Sequence, residues 1–321
     1  MTEVWTMMIR KTCAVLAAVL MICFMTAGCG NHSETDQPPA AMEIKDNASV
    51  SYLGPQGTYT EEAALFFFQN GAQFDPKKTV EEAITDVVNG SSDYAVIPQE
   101  NTVGGAVTNY LDALIAVDSV YVVGEVILPI SQTLMGIPGS SLEDIQTVCS
   151  HVQGIAQSAR WRSEHLPDAE TKEMPSTAAA ASYVAETGDP TIAAIAAPAA
   201  AKLYGLSVLA ENVQITDANK TRFYVLSGTQ PDTDRMPRAV FVASCEANRI
   251  DDIIVEISKQ GLELVTIHDR PEGSQLGSYH YIIEVERLNG ITAGQIEKIS
   301  EIPGVRYLGS FQTAEKKDGM N

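Results

Sequence analysis

The chain of 321 residues has few cysteines and no spacing typical of metal ligands. Three of its five cysteines, Cys13, Cys23 and Cys29, lie in the N-terminal segment. The other two, Cys149 and Cys245, lie in apolar, strand-like runs, where a free cysteine behaves as a small hydrophobic residue. We therefore expect no disulfide framework. The absence of Cys-x-x-Cys and His-x-x-x-His spacings argues against zinc, and we expect no metal site.

Positive charge is also scarce, with 21 basic against 41 acidic residues. Nucleic acids and anionic membrane surfaces are recognised by basic patches, so both are excluded as expected partners. In such an acidic chain, an anionic ligand would need local positive charge, which makes each arginine near a possible site informative. A content of 45% hydrophobic and 19% charged residues is typical of a globular protein with room for two domains.

The N-terminal segment has the pattern of an export signal. Arg10 and Lys11 precede an apolar run over 13–25, and small residues then lead to Cys29. We expect a signal peptide over 1–28 and a flexible tether over 29–48. The pattern resembles a bacterial lipoprotein signal, although Thr26 stands where such signals usually have Leu. That resemblance implies a lipid on Cys29 as the only membrane contact, and an exported protein on the outer face of the cytoplasmic membrane or in the periplasm.

From residue 49 to about 228, short apolar runs alternate with helical patterns, which predicts an α/β fold. Within this part we expect helices over 105–117 and 154–165. The polar, turn-rich stretch 229–237 indicates a linker. The order of predicted elements over 238–313 is βαββαβ, which is the ferredoxin-like motif, and a tail follows over 314–321.

The run Thr221-Arg222-Phe223 begins an apolar strand and places a hydroxyl beside a guanidinium. A hydroxyl can donate to a leaving oxygen, and a guanidinium can bind a carboxylate through two parallel hydrogen bonds. Together they suit an acidic substrate that loses water. The alternative is an ordinary loop entering a strand, with Thr221 favoured by its β-propensity and Arg222 solvated.

Polar residues also follow predicted strands at three strand-to-helix junctions, where α/β folds place ligands. They are Asn101 with Thr102, His151 with Gln153, and Ser176 with Thr177. Each has a simpler interpretation. Asn, Ser and Thr are common helix caps, and a histidine at a strand end can simply bond to loop backbone.

The collinear motifs resemble the prephenate dehydratase family. They are Gly54-Pro55-Gln56-Gly57-Thr58-Tyr59, Glu100-Asn101-Thr102, Ser150-His151-Val152-Gln153, Ser176-Thr177-Ala178 and Thr221-Arg222-Phe223. The resemblance implies a two-lobed catalytic domain over 49–228, similar to type II periplasmic binding proteins, that converts prephenate to phenylpyruvate, carbon dioxide and water without a cofactor. It also implies an ACT regulatory domain over 238–313 and pairing of two or more copies through their ACT domains.

The resemblance assigns roles to particular residues. Thr221 would assist departure of the hydroxyl and Arg222 would hold a carboxylate. Substrate-binding residues would be Asn101, Thr102, Gln153, Ser176, Thr177 and Phe223, and regulatory residues would be Arg270 and Pro271.

The sequence also departs from the family pattern. Gln132 stands where a histidine is common, and Val152 replaces a proline. In the regulatory part, Asn248-Arg249-Ile250 stands where phenylalanine-responsive members have Gly-Ala-Leu, so the ligand of this part stays open. Two other functions are therefore kept. One is a solute-binding lipoprotein for a small anion, and the other is an inactive relic of the enzyme.

Overall fold

The computed structural model describes residues 44–69, 71–216, 218–230 and 235–316. The predicted signal peptide, Cys29 and most of the predicted tether lie outside these ranges. The described α-helices are α1 Tyr59–Phe68, α2 Val80–Val88, α3 Thr108–Ile115, α4 Val152–Gln157, α5 Ala159–His165, α6 Thr177–Thr187, α7 Pro198–Tyr204, α8 Ile250–Lys259 and α9 Ala293–Ser300. The described strands are β1 Ser49–Leu53, β2 Gln73–Lys77, β3 Tyr94–Asn101, β4 Gly105–Ala106, β5 Tyr121–Pro129, β6 Thr133–Gly136, β7 Thr147–Ser150, β8 Glu170–Glu173, β9 Ile192–Ala196, β10 Ser207–Ala210, β11 Lys220–Ser227, β12 Met236–Glu246, β13 Glu263–Pro271, β14 Ser278–Ile291, β15 Val305–Phe311 and β16 Thr313–Glu315.

Two groups of strands form separate lobes, which confirms the predicted α/β class. Lobe 1 comprises residues 49–129 and 220–227, where β1 pairs in parallel with β2 and β3, and β11 lies antiparallel between β3 and β5. Lobe 2 comprises residues 133–210 and contains a five-stranded sheet in the order β10-β6-β9-β7-β8. The chain crosses between the lobes at 130–132 and again at 211–219.

Strand alternation gives lobe 1 a core on each face of its sheet. Ala95 and Ile97 of β3 belong to one buried cluster, which includes Val80 and Ile84 of α2. The intervening Val96 belongs to the other cluster, on the side of α1. Successive side chains of a strand point to opposite faces, so every second residue of β3 serves the same core.

The C-terminal segment, residues 236–316, has the element order βαββαβ that the sequence predicts. Its strands β12 to β15 lie in the order β13-β14-β12-β15 and pair antiparallel. This sheet continues into lobe 1, because Gly309 of β15 pairs with Val122 of β5. The last strand, β16, also pairs with β5. One buried cluster contains Val122 and Tyr224 of lobe 1 together with Ile282 and Phe311 of the C-terminal segment.

Two predicted helices differ from the structure. In place of a helix over 105–117, Gly105 and Ala106 form β4, which turns back onto β3, and α3 begins only at Thr108. The predicted helix over 154–165 is interrupted at Ser158, whose hydroxyl donates to the Gly154 carbonyl at 2.7 Å. A serine hydroxyl that bonds to the backbone of the preceding turn competes with helix continuation. Within the described ranges, none of the helices is both long enough and apolar enough to span a membrane.

Candidate active site

A cavity of about 470 Å³ lies between the two lobes. Lobe 1 lines it with residues from the ends of β1, β3 and β11 and from the start of α3. Lobe 2 lines it with residues around the starts of α4 and α6. Five of the predicted site residues meet here, namely Asn101, Gln153, Ser176, Thr177 and Thr221. The resemblance placed these five residues in one site on the basis of separate motifs, and the fold brings them together.

Thr221 and Asn101 face each other across the β3–β11 pair at the lobe 1 side of the cavity. The Asn101 side-chain amide donates through Nδ2 to Thr221 Oγ1 at 2.9 Å. The orientation of that amide is fixed, because Asn101 Oδ1 accepts from the backbone N–H groups of Val103 (3.0 Å) and Gly104 (2.9 Å). A hydroxyl that already accepts a hydrogen bond keeps its own proton available for donation. Thr221 is thus arranged as a hydrogen-bond donor.

A chain of side-chain amides continues from this pair under the cavity. Asn101 Nδ2 also donates to Asn219 Oδ1 at 2.8 Å, and Asn219 Nδ2 donates to Gln157 Oε1 at 3.1 Å. Gln132 Nε2 donates to the same Gln157 oxygen at 3.3 Å. Asn219, Gln157 and Gln132 are all buried, and hydrogen bonds between buried groups are electrostatically stronger than those in water. Gln132 lies in the first crossing between the lobes and Asn219 in the second, so the network connects both crossings to Asn101.

The lobe 2 side of the cavity consists of helix starts. Ser176 caps α6 by accepting from the Ala179 N–H at 3.0 Å, and it also lines the cavity. His151 caps α4 by accepting from the Gln153 N–H at Nδ1, at 3.3 Å. Ser176 and His151 therefore act as helix caps and also line the cavity. The first-turn N–H groups of a helix have no partner within it and favour anions.

Burial lowers the pKa of His151 below its ordinary value, against the opposing effect of Glu173. The imidazole is therefore neutral at pH 7. Because Nδ1 accepts from the Gln153 N–H, the ring proton sits on Nε2, where it can be donated to a ligand in the cavity.

Several contacts join lobe 1 to lobe 2 or to the crossing at 130–132. Tyr204 of lobe 2 donates to the Gln56 carbonyl at 2.9 Å, and the Tyr59 hydroxyl donates to the Ser131 carbonyl. Gly104 lies so near Gln153 that a Cβ at this position would come within 3.0 Å of Gln153 Nε2. Lobe 1 therefore contacts lobe 2 at more than one position.

Arg222 lies on the opposite face of the sheet from the cavity and does not line it. Its guanidinium contacts Glu125 and Glu284, both fully buried, and reaches Glu100 at 3.4 Å. Neighbouring residues of a strand point to opposite faces, so Thr221 and Arg222 cannot both face the cavity while β11 is regular. The predicted role of Arg222 in holding a substrate carboxylate stays a prediction, and it would require Arg222 to leave these carboxylates.

Four other predicted residues also lie away from the cavity lining. The Thr102 hydroxyl accepts from the Lys220 N–H at 2.9 Å and so joins β3 to β11. Phe223 is buried in the core of lobe 1. Arg270 forms a bidentate ion pair with Asp112 of α3, at 2.7 and 2.8 Å. Pro271 is the last residue of β13.

Sequence reasoning missed part of the site. Gln157, Asn219 and Gln132 appeared among the motifs, yet nothing in their spacing indicated a joined network. The fully buried Glu125 and Glu284 left a clearer signal, since each is a carboxylate inside an apolar strand. A charge in such a position needs a partner of opposite charge.

No lysine or arginine lines the cavity within the described ranges. The same part of the chain has no group of three or more His, Cys, Asp or Glu arranged to hold a metal ion. Anionic groups entering the cavity would therefore meet helix N–H groups, hydroxyls, amides and the His151 ring. Such donors are common at phosphate and carboxylate sites of α/β proteins.

Comparison with known proteins includes a family model that matches more than half of the chain. Residues 50–231 match the family model described as prephenate dehydratase. A bifunctional chorismate mutase/prephenate dehydratase from Neisseria gonorrhoeae is 33% identical over 278 residues, which is 85% of this chain and 76% of that protein. A prephenate dehydratase from Bacillus subtilis is 30% identical over 282 residues, covering 82% of this chain and 98% of that protein.

Among solved structures, the prephenate dehydratase of Arthrobacter aurescens in complex with L-Phe aligns with a TM-score of 0.73 at 33% identity. The alignment covers 82% of this chain and 89% of that one. These findings favour the enzyme over a solute-binding protein. The chain belongs to the prephenate dehydratase family, the hydro-lyases that convert prephenate to phenylpyruvate in L-phenylalanine biosynthesis.

Proposed function

We propose that the cavity binds prephenate with its ring hydroxyl at Thr221 and its carboxylates toward lobe 2. The observation that carries this proposal is the Asn101–Thr221 hydrogen bond, which leaves the threonine proton free to point into the cavity. In the reaction, the ring C–O bond and the C–C bond to the ring carboxylate break. The electron pair of the broken C–C bond completes the aromatic ring, and the departing hydroxide takes up one proton, which comes from solvent, and leaves as water.

Thr221 donates a hydrogen bond to the departing oxygen in this proposal. The negative charge on that oxygen grows as the C–O bond lengthens, so the bond from Thr221 strengthens toward the transition state. Aromatisation supplies most of the driving force. Orientation and partial desolvation in the cavity are then the main contributions of the protein.

The carboxylates are bound by the lobe 2 donors. The first turn of α6 offers backbone N–H groups and the Thr177 hydroxyl, and Gln153 and His151 Nε2–H face the same cavity. These donors are dipoles and not full charges.

Phenylpyruvate formation from prephenate by the chain without its first 29 residues tests the proposal. Thr221→Val removes the hydroxyl and preserves the shape, so kcat should fall by about 10²- to 10³-fold, the usual loss for one transition-state donor. KM should change little. Thr171→Val, an exposed threonine on β8, is the control and should keep normal turnover. Normal turnover by Thr221→Val would contradict the proposal.

We further propose that the C-terminal segment is an ACT-type regulatory domain in which Arg270 and Pro271 contribute to regulation. Its βαββαβ order supports this, as does the L-Phe bound to the Arthrobacter relative. Pairing of two copies through these domains is part of the proposal. Arg249 occupies the position where phenylalanine-responsive members have a small residue, so we expect no tight binding of L-Phe. Calorimetric titration with L-Phe, together with the molar mass in solution, tests both points.

We also propose that the protein is exported and tethered by a lipid on Cys29. The basic pair, apolar run and cysteine at the N-terminus support this. Labelling of cells with a radioactive fatty acid should mark the protein, and Cys29→Ser should abolish the label. Unlabelled protein that remains in the cytosol would contradict the proposal.

A further inference from the structure

The strands that carry Thr221 and Asn101 present a second matched pair on their other face. In the antiparallel register of β3 and β11, Thr221 pairs with Asn101, and Arg222 pairs with Glu100. Thr221 and Asn101 face the cavity, so Arg222 and Glu100 point away from it. The contacts of Arg222 on that side therefore affect the position of Thr221 through the shared backbone of β11.

Arg222 belongs to a group of charged residues that we call the ion cluster, which consists of the partly buried Arg222 and Arg238 and the fully buried Glu125 and Glu284. Arg222 Nη2 donates to Glu284 Oε2 at 2.6 Å, and Arg222 Nε donates to Glu125 Oε1 at 2.7 Å. Arg238 Nη1 bridges the same two carboxylates at 2.9 and 3.0 Å. The side chains of Glu125 and Glu284 are 0% exposed. Two of the four residues, Arg238 and Glu284, belong to the C-terminal segment.

Glu284 also reaches the strand that carries Asn101. Tyr224 donates to Glu284 Oε2 at 2.8 Å, and Gln99 Nε2 donates to the Tyr224 oxygen at 3.1 Å. Gln99 is the extra residue of a bulge, because Phe223 pairs with Pro98 while Arg222 pairs with Glu100. Bulges next to active sites re-aim the side chains that follow them, and here the following side chains are Glu100 and Asn101.

We propose that the ion cluster is a positioning device through which the C-terminal segment sets the Thr221–Asn101 pair. Glu284 is its key residue, since it bonds directly to Arg222, the residue beside Thr221, and is linked through Tyr224 to Gln99 in the bulge before Asn101. None of the four charged residues lines the cavity, so they are positioning residues and not catalytic ones. The inference rests on the proposed role of Thr221 and extends it, because it makes the turnover rate depend on contacts with the C-terminal segment.

The contacts of the two buried carboxylates explain why the cluster holds one arrangement. Glu125 and Glu284 each contact both arginines, and they also accept hydrogen bonds from the Thr313 and Tyr224 hydroxyls, respectively. Removing one member of such a buried set leaves a charge without compensation, so alternative arrangements are disfavoured. A fully bonded cluster therefore fixes the spacing between β14 of the C-terminal segment and β11 of lobe 1.

The test compares Glu284→Gln with Glu286→Gln. Glu286 lies on the same strand and pairs with the same Arg238, at 3.3 Å, but its side chain is 45% exposed. In Glu284→Gln we expect kcat to fall by about 10- to 100-fold, because small misplacements of catalytic groups have effects of this size. KM should stay within about twofold, since the proposed carboxylate donors lie on lobe 2. Glu286→Gln should match the parent in both constants.

Activities are measured below the thermal transition of each variant, so that only folded protein contributes. If Glu284→Gln does not fold, Glu284→Asp keeps the charge but shortens the reach, and the same fall in kcat is expected. A folded Glu284 variant with the parent kcat, or with a raised KM alone, would overturn the inference. If Thr221→Val is inactive while the Glu284 variant is normal, only this inference fails. If Thr221→Val keeps full turnover, the proposed role of Thr221 fails, and this inference fails with it.

Discussion

Replacing Arg222 by methionine separates two roles for this guanidinium. In the ion cluster, its removal leaves Glu125 and Glu284 fully buried with Arg238 as their remaining charged partner. Breaking a buried ion pair from one side costs about 3–5 kcal/mol of folding stability. Methionine fills most of the space of the arginine stem, so loss of packing adds little. We therefore expect the free energy of unfolding of Arg222→Met to fall by that amount at pH 7.

The pH dependence of this loss provides a second, independent measurement. Burial, followed by the neighbouring Glu125, raises the pKa of Glu284 above its ordinary value, while Arg222 and Arg238 oppose that rise. Loss of Arg222 raises the pKa of Glu284 further. A carboxyl whose pKa is raised by folding binds more protons in the folded state, so stability falls as pH rises through the folded-state pKa. The deficit of Arg222→Met should therefore be largest at neutral pH and should shrink toward pH 5.

Urea unfolding followed by circular dichroism at pH 7 and pH 5 measures both effects. The control is Arg160→Met, which removes an exposed ion pair with Glu164 and should cost less than about 1 kcal/mol at either pH. If Arg222 instead holds a substrate carboxylate, Arg222→Met should raise KM and leave stability almost unchanged. A pH-independent loss below about 1 kcal/mol would refute the reasoning from the ion cluster.

Three further substitutions test other parts of the structure. Asn101→Asp keeps the acceptor for the loop N–H groups but no longer donates to Thr221 and adds negative charge to the cavity, so steady-state kinetics should show a lower kcat and a higher KM. Gly309→Ala places a Cβ 2.0 Å from the Val122 carbonyl, so β15 should lose its pairing with β5, and limited proteolysis should then release the C-terminal segment. Arg270→Gln removes an ion pair with a 33% exposed arginine, so thermal unfolding should report a loss below about 1 kcal/mol.

The sequence predicted the α/β class and the βαββαβ order of the C-terminal segment. Hydrophobic periodicity is a local property, and both predictions depend on local patterns. Short strands were harder to predict from the sequence. The four-residue β6 and β8 are too brief to show a period, and the charged pattern of β8, Glu170 to Glu173, resembles a loop. These strands are stabilised by their neighbours in the lobe 2 sheet and not by their own composition.

Five of the predicted site residues line the cavity, but the sequence did not predict which residues of each strand face it. The motifs predicted that Asn101, Ser176 and Thr221 lie in one site, because polar residues at the ends of strands often do, and these three residues line one cavity. A strand also requires adjacent side chains to point apart, so Thr221-Arg222 as a pair of cavity residues conflicted with the predicted strand itself. Sequence alone did not say which of the two would face the substrate. That choice depends on Glu125 and Glu284, which are distant in sequence from Arg222.

The joining of the C-terminal segment to lobe 1 was not predictable, because its contacts are non-local. Gly309 pairs with Val122, and no property of either residue indicates the other. A polar linker over 229–237 suggested two independent domains, whereas the structure gives them one continuous sheet and a shared core. Glycine at 309 is required by the close approach of the Val122 backbone, and this reason becomes visible only once the two strands are paired.

The two-residue period of a strand gives this enzyme a direct connection between its parts. Glu100-Asn101 and Thr221-Arg222 are paired dipeptides, and each presents one residue to the cavity and one toward the C-terminal segment. A displacement of β14 therefore acts on Arg222 and, through the backbone of a single residue, on Thr221. No hinge or moving loop is needed for this coupling. Any ligand that binds the C-terminal segment and changes the position of Glu284 should accordingly change kcat more than KM.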